Sequence, residues 1–120
     1  MKKKLILLAA FLLVANLANS QAIATSKLIW DQPGTISIPE ATAFTYKYYP
    51  DNAVAGIVLT NVTCSGTSTI TCQANFPAFT PGAHTLTISS SNAAGESAKS
   101  SPFAFVFVVT PGTPFNIRIQ

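Results

Sequence analysis

The sequence has few of the residues that catalysis and metal binding require. Among 120 residues there are two cysteines, one histidine and four acidic residues. Two cysteines and a single histidine, His84, cannot supply the four ligands of a structural zinc site. No Gly-x-Ser-x-Gly motif is present, and the acidic residues have neither the pairing of a glycosidase nor the spacing of a calcium loop. We therefore expect no enzyme activity, no catalytic residues, no metal and no cofactor.

Charge of either sign is also scarce, and the formal net charge of +3 comes from the first residues. Lys2, Lys3 and Lys4 supply three of the seven basic residues, which leaves four basic against four acidic residues in the rest of the chain. Those four basic residues are scattered, whereas a nucleic-acid surface needs clustered ones. The composition excludes nucleic acid as a partner and offers little electrostatic resistance to self-association.

The N-terminal segment has the features of a secretory signal peptide in the expected order. The lysines precede an apolar run over 5–17 and then a stretch of small residues. The run has about 13 residues, too short for a membrane-spanning helix, so a cleaved leader is favoured over a membrane anchor. Small residues permit cleavage after Ser20, Ala22 or Ala24, and we take Ala22, which makes 1–22 the leader. The rest is expected to be secreted, extracellular or periplasmic, with no membrane association after cleavage.

The two cysteines, Cys64 and Cys72, predict a disulfide bond, because an even cysteine count in an exported chain is typical of one. A metal site is the competing interpretation. The polar turn 65–68 separates the cysteines, and the flanking runs 56–64 and 69–74 read as a hairpin. If its pairing sets residue 64 opposite residue 72, their separation suits a bridge.

After the leader, short runs of strand-forming residues alternate with Pro, Gly, Asn and Ser, and no helical period appears. This pattern indicates an all-β domain, an antiparallel sandwich or barrel. The predicted strands are 26–31, 42–49, 56–64, 69–74, 83–91 and 103–109. The last of them is apolar on both faces, which means either tolerated outward residues or a surface for a partner.

The last ten residues read as a proline-rich linker followed by a terminal strand, so the domain is expected over 23–110 and this segment over 111–120. Residues 115–120 alternate apolar Phe115, Ile117 and Ile119 with polar neighbours. That alternation predicts a strand paired with a sheet edge. Three alternatives stay open: pairing within the same chain, donation to a neighbouring copy, and an unpaired tail or the beginning of a second domain.

Several segments resemble the fibronectin type III family of immunoglobulin-like sandwiches. Residues 80–88, Thr-Pro-Gly-Ala-His-Thr-Leu-Thr-Ile, with the following 92–97, Asn-Ala-Ala-Gly-Glu-Ser, resemble its sixth strand and turn. Residues 28–33 resemble the second strand with its core tryptophan, and 43–51 resemble the third. The likeness covers about 26–109; its first strand is missing here, and His84 stands where the family has a corner tyrosine.

The resemblance implies a two-sheet antiparallel immunoglobulin-like, fibronectin type III β-sandwich of about seven strands. Its expected structural core is Trp30, Phe44, Tyr46, Leu86, Ile88 and Phe105.

The resemblance further implies a secreted, non-catalytic module for extracellular binding, adhesion or spacing, with an extracellular protein or polysaccharide as candidate partner. Tyr49 is the best candidate for an exposed ring that contacts a ligand, whereas Trp30 is expected in the core. The alternative function is a structural subunit of an extracellular fibre or surface assembly that self-associates through its terminal strand. The glycosylation sequon at Asn61 is interpreted as a chance occurrence.

Overall fold

The computed structural model describes residues 20–34 and 36–120, so the predicted leader lies outside the described residues except for 20–22. The described residues form two sheets of mainly antiparallel strands and one short helix, which confirms the predicted all-β sandwich. The strands are β1 (Gln21–Ala22), β2 (Lys27–Gln32), β3 (Thr45–Pro50), β4 (Ile57–Val58), β5 (Thr63–Ser65), β6 (Ile70–Asn75), β7 (Gly82–Asn92), β8 (Gly95–Glu96) and β9 (Phe103–Phe107), and the helix is α1 (Ile38–Ala43).

The larger sheet has the order β1-β9-β7-β3-β4, and β8 forms a hairpin with β7. The 11-residue β7 pairs antiparallel with both β3 and β9. β1 runs parallel to β9, and the carbonyls of Ser20 and Ala22 accept hydrogen bonds from Val106 N and Val108 N at 2.8 and 2.9 Å. Residues 21–22, which sequence analysis assigns to the leader, therefore form an edge strand of the larger sheet.

The smaller sheet has the order β2-β6-β5, with antiparallel pairing throughout. The predicted strand 56–64 is divided between the sheets, because β4 belongs to the larger one and β5 to the smaller one. Asn61 lies between them with φ of 55°, a left-handed conformation that asparagine adopts more readily than most residues. The chain crosses from one sheet to the other at this point.

The predicted strand 42–49 begins later, at Thr45, because the residues before it form α1. Ser37 caps this helix by accepting a hydrogen bond from Glu40 N at 3.3 Å, and Pro39 stands in the first turn, where its missing N–H costs nothing. Ala41 is fully buried, so the helix closes one end of the core. None of the described residues belongs to a helix long and apolar enough to cross a membrane.

Aromatic rings fill much of the space between the sheets. Phe105 meets Phe76 and Phe79 edge to face, with centroids 5.0 and 4.9 Å apart, a geometry that adds to the apolar burial. Of the six predicted core residues, Tyr46, Leu86 and Phe105 are buried. The other three, Trp30, Phe44 and Ile88, are only partly buried and pack against the core. Trp30 lies at its margin because β2 is the edge of its sheet.

The terminal segment differs from its prediction. Residues 108–120 form no helix or strand, and Phe115, Ile117 and Ile119 are 87%, 92% and 100% exposed. Pairing with an edge of its own domain is therefore wrong for this structure. Two features oppose such pairing: Pro111 and Pro114 fix the backbone of the linker that would have to turn the segment back, and β1 already occupies part of the β9 edge.

Candidate functional site

Cys64 and Cys72 are bonded across the β5–β6 pair. They are direct cross-strand partners with Cα atoms 4.0 Å apart. Cys72 lies on the central strand of the smaller sheet and is fully buried, with its sulfur 3.7 Å from the Tyr46 hydroxyl. The bond fastens the short edge strand β5 to the sheet and leaves no free cysteine.

Tyr49 is not the exposed ligand-contacting ring that the sequence suggests, because only 5% of it is exposed. Its hydroxyl donates a hydrogen bond to the Glu96 carboxylate, and the Lys99 ammonium lies 4.1 Å from the centre of its ring. Tyr46 and Tyr49 are three residues apart on one strand and therefore lie on opposite faces of the sheet. Tyr46 faces the core, while β8 and the residues after it cover Tyr49 on the outer face.

Glu96, in β8, is the acidic residue of the segment that covers Tyr49. Hydrogen bonds from the Tyr49 hydroxyl, then from Ser89 Oγ at 2.8 Å, lower the pKa of the Glu96 carboxyl, and Lys47 at 3.8 Å and Lys99 contribute less. The lowered pKa favours the ionised carboxylate, whose Oε2 accepts both hydrogen bonds while Oε1 faces Lys47. Its chemistry here is to hold the β8 hairpin against the sheet rather than to exchange protons with a ligand.

His84 lies between two acceptors at the start of β7. Its Nδ1 is 2.7 Å from the Asp51 carboxylate and its Nε2 is 2.7 Å from the Thr80 carbonyl. Only the protonated ring donates from both nitrogens, and the hydrogen bond to Asp51 is the main reason that the pKa of His84 is raised. The pKa of Asp51 is lowered, chiefly by the hydrogen bond from Thr85 N at 3.0 Å.

Asp51, His84 and Thr80 follow one another as the acid, base and nucleophile of a hydrolytic triad would. The Thr80 hydroxyl lies 3.2 Å from His84 Nε2. A general base needs a free lone pair on Nε2, but that nitrogen is closer to the Thr80 carbonyl, to which it donates. The arrangement therefore favours a structural corner that joins the turn after β3 to the start of β7. Among residues 20–34 and 36–120, no three potential metal ligands come together.

An open groove of about 530 Å³ lies between β2 and β9, where the two sheets diverge. Its apolar walls come from β2, β7, β9 and the residue after β6, and include Leu28, Trp30, Phe76, Leu86, Ile88 and Phe103. The indole Nε1 of Trp30 is buried without a hydrogen-bond partner, which is costly for a polar group. The groove thus has mainly apolar walls, and one of its lining residues, Trp30, carries a buried donor without a partner.

One border of this groove is an incompletely paired strand. Among the described residues, β1 pairs with β9 at Val106 and Phe107, while the pairing with β7 continues back to Phe103. Backbone groups alternate in direction along a strand, so Ala104 turns its N–H and C=O to the same side as Val106, where β1 does not reach. Phe103 is 47% exposed beside this edge. Sequence analysis offered the run 103–109 as a possible partner surface but did not locate the groove, to which this run contributes Phe103.

The fold and these sites define a two-sheet β-sandwich with one disulfide, a histidine corner and an open groove between the sheets. Comparison of the chain with family models, with curated proteins and with solved structures finds no match. The fibronectin type III resemblance is therefore a hypothesis that rests on the sequence.

Proposed function

We propose that the protein is an exported, non-catalytic module of the fibronectin type III kind, which works by binding, adhesion or spacing outside the cytoplasm. The observation that carries this proposal is the open apolar groove between β2 and β9. Concave apolar surface with a few polar groups is typical of recognition sites. Its walls favour an extracellular protein segment as the partner over a polysaccharide, because apolar side chains form most of the lining and polar ones come from Gln21, Ser26, Lys27 and Ser100.

Export is supported by the cysteines together with the leader-like N-terminus. Disulfides persist in secreted and periplasmic proteins and are rare in the cytosol. Here the bond between Cys64 and Cys72 closes a hairpin in a small domain, where a covalent link adds a large share of stability.

Fractionation of bacteria that express the full chain tests the proposal. We expect a shortened chain outside the cytoplasm, with no thiol that reacts under denaturing, non-reducing conditions. Light scattering on that chain should show a monomer. An unshortened chain retained in the cytoplasm with two reactive thiols would contradict export, and a ladder of oligomers would favour the second candidate function.

The second candidate is a structural subunit that lends its terminal strand to a neighbour. It is favoured by the exposure of Phe115, Ile117 and Ile119, and by the stretch of β9 at Ala104, which has no partner on the β1 side among residues 20–34 and 36–120. A strand added there would bond to the free backbone groups and turn its apolar side chains into the groove. Six residues in a strand span about 20 Å, long enough to follow the open edge.

A peptide titration tests strand donation. The chain is shortened to end at residue 110, and a peptide of residues 111–120 is added while the fluorescence of Trp30 is followed. Trp30 is the single tryptophan and lines the groove, so it reports directly on occupancy. A saturable change is expected, and it should disappear for a peptide with asparagine at 115, 117 and 119.

The matched protein variants are Phe103→Glu, in the groove, and Val54→Glu, which is 95% exposed and not among the groove residues. Phe103→Glu should abolish the fluorescence change, and Val54→Glu should leave it as it is. A native peptide that produces no change contradicts strand donation and leaves the module proposal standing.

A further inference from the structure

The N-terminal strand β1 bears on where the leader is removed. Three bonds satisfy the requirement for small residues on the leader side: those after Ser20, Ala22 and Ala24. The local sequence does not separate them. The three cuts have different consequences for the fold, because residues 20–22 lie against β9.

Ala22 belongs to the folded domain. It is 4% exposed within the core, and its carbonyl accepts the hydrogen bond from Val108 N. Cleavage after Ala22 or Ala24 would remove this strand, uncover the core beside Phe107 and leave both Val106 N and Val108 N without their partners. Cleavage after Ala24 would also destroy the turn in which Ser26 Oγ accepts from Ile23 N at 2.9 Å.

We infer that the leader is cut between Ser20 and Gln21, so that the exported chain begins with β1. This inference rests on the export part of the proposed function. The cut makes Ser20 the residue directly before the bond and Ala18 the third residue before it, and these are the two positions that require small side chains. It removes one hydrogen bond, from Val106 N to the Ser20 carbonyl, and keeps both the burial of Ala22 and its bond to Val108 N.

An N-terminus at Gln21 is also compatible with the fold. Gln21 is exposed, so its charged α-amino group stays in water. A chain that begins there has no residue to continue β1 alongside Ala104. The open stretch of the β9 edge is then a property of the exported form.

Intact-mass spectrometry of the exported chain tests the inference. The expected mass begins at Gln21, with or without loss of ammonia by attack of the α-amino nitrogen on the glutamine side-chain amide. A start at Ile23 or Thr25 overturns the inference and leaves export supported. A chain that keeps Met1 overturns export and this cut together.

Two leader variants sharpen the result. Ala18→Phe puts a bulky residue three positions before the inferred bond, and it should abolish cleavage there. Ala24→Phe touches only the third candidate bond, so processing at Gln21 should be unchanged. Normal processing of Ala18→Phe, or a block in Ala24→Phe, would overturn the inference.

The contribution of β1 to stability, on which the inference depends, can be measured separately. Chains produced without a leader and starting at Gln21 or Ile23 are compared by thermal unfolding. The shorter chain should melt lower by about 5 °C or more, because the midpoint of a domain this small shifts by several degrees for each kilocalorie lost. Equal midpoints would show that β1 contributes nothing and would overturn the argument.

Discussion

Two apolar segments near the end of the chain, β9 and the terminal segment 115–120, have similar patterns and opposite structures. Both place a large apolar residue at every second position, but the intervening residues are apolar in β9 and polar in the terminal segment. Phe105 and Phe107 in β9 are 3% and 4% exposed, whereas Phe115 is 87% and Ile117 92% exposed. An alternating apolar pattern is therefore not sufficient for a segment of this chain to form a buried strand.

The difference lies in what faces each segment. β9 pairs with β7 along all five of its residues, and its inward rings meet Phe76 and Phe79. The terminal segment follows a linker with two prolines and has no strand partner among the described residues. Alternation therefore says which residues would share a face, and a free edge with an apolar layer beneath it decides whether the strand forms.

The largest effect is expected from removing a ring in each segment. Phe105→Ala should lower the free energy of unfolding by about 3–5 kcal/mol, the cost of emptying a packed aromatic site. Phe115→Ala should leave it unchanged, because the ring packs against nothing when exposed. Urea denaturation of both variants measures the contrast, and a loss in Phe115→Ala would show that the tail does pack on the domain.

Removing the disulfide should have the next largest effect. The double variant Cys64→Ala with Cys72→Ala loses a link between residues eight apart, worth about 2.5 kcal/mol in the chain-entropy view. Denaturation of this variant, and of the original chain with and without reductant, gives the value. Reductant should not alter the double variant; if it does, the effect comes from something other than this bond.

A smaller loss is expected at Gly56, on which the Tyr49 ring packs. A Cβ at this position would lie 2.7 Å from the ring, and such overpacking costs about 1–3 kcal/mol. Gly112, in the linker, has no atom within 4 Å of the same hypothetical Cβ. Gly56→Ala should therefore destabilise and Gly112→Ala should not, as thermal unfolding will show. Equal melting temperatures of the two variants would mean that the backbone at Gly56 or the Tyr49 ring shifts at little cost to accommodate the added Cβ.

The smallest effect is a pH dependence at the histidine corner. Because the pKa of His84 is raised above its ordinary 6.5, its contribution to stability is complete below that pH and is lost as pH rises through the raised value. Because the pKa of Asp51 is lowered from 3.8, its contribution is complete above that pH and is lost as pH falls through the lowered value. Both contributions are present between pH 3.8 and 6.5.

Melting temperatures across pH test this window. Glu96, whose pKa is also lowered, adds a loss in acid. Burial raises the pKa of Tyr46 and Tyr48 above 10.0, so their ionisation adds a loss above that pH, and the alkaline limb that reports His84 is the part between pH 6.5 and 10.0. Asp51→Asn should flatten that limb, and Arg118→Gln, in the exposed tail, should not. An alkaline limb that persists in Asp51→Asn would assign the dependence to another group.

Features set by residues close together in the sequence were mostly predicted, and features set by distant residues were not. Cys64 and Cys72 could be paired because they flank the turn of one hairpin. α1 was missed because six residues are too few to show a helical period, although Ser37 and Pro39 were cap signals. Tyr49 was misjudged because its cover comes from β8, far along the chain.

The sequence by itself determined the all-β class, the spacing of the strands and the hairpin that carries the disulfide, because turn residues, alternation and short loops are local properties. Tertiary structure decided that residues 21–22 complete the larger sheet, that the run 56–64 crosses between sheets, and that the terminal segment stays exposed. Each of these outcomes depends on which edge is free and which side chains lie opposite. Such information is spread over β1, β2, β7 and β9 and appears only when distant segments meet.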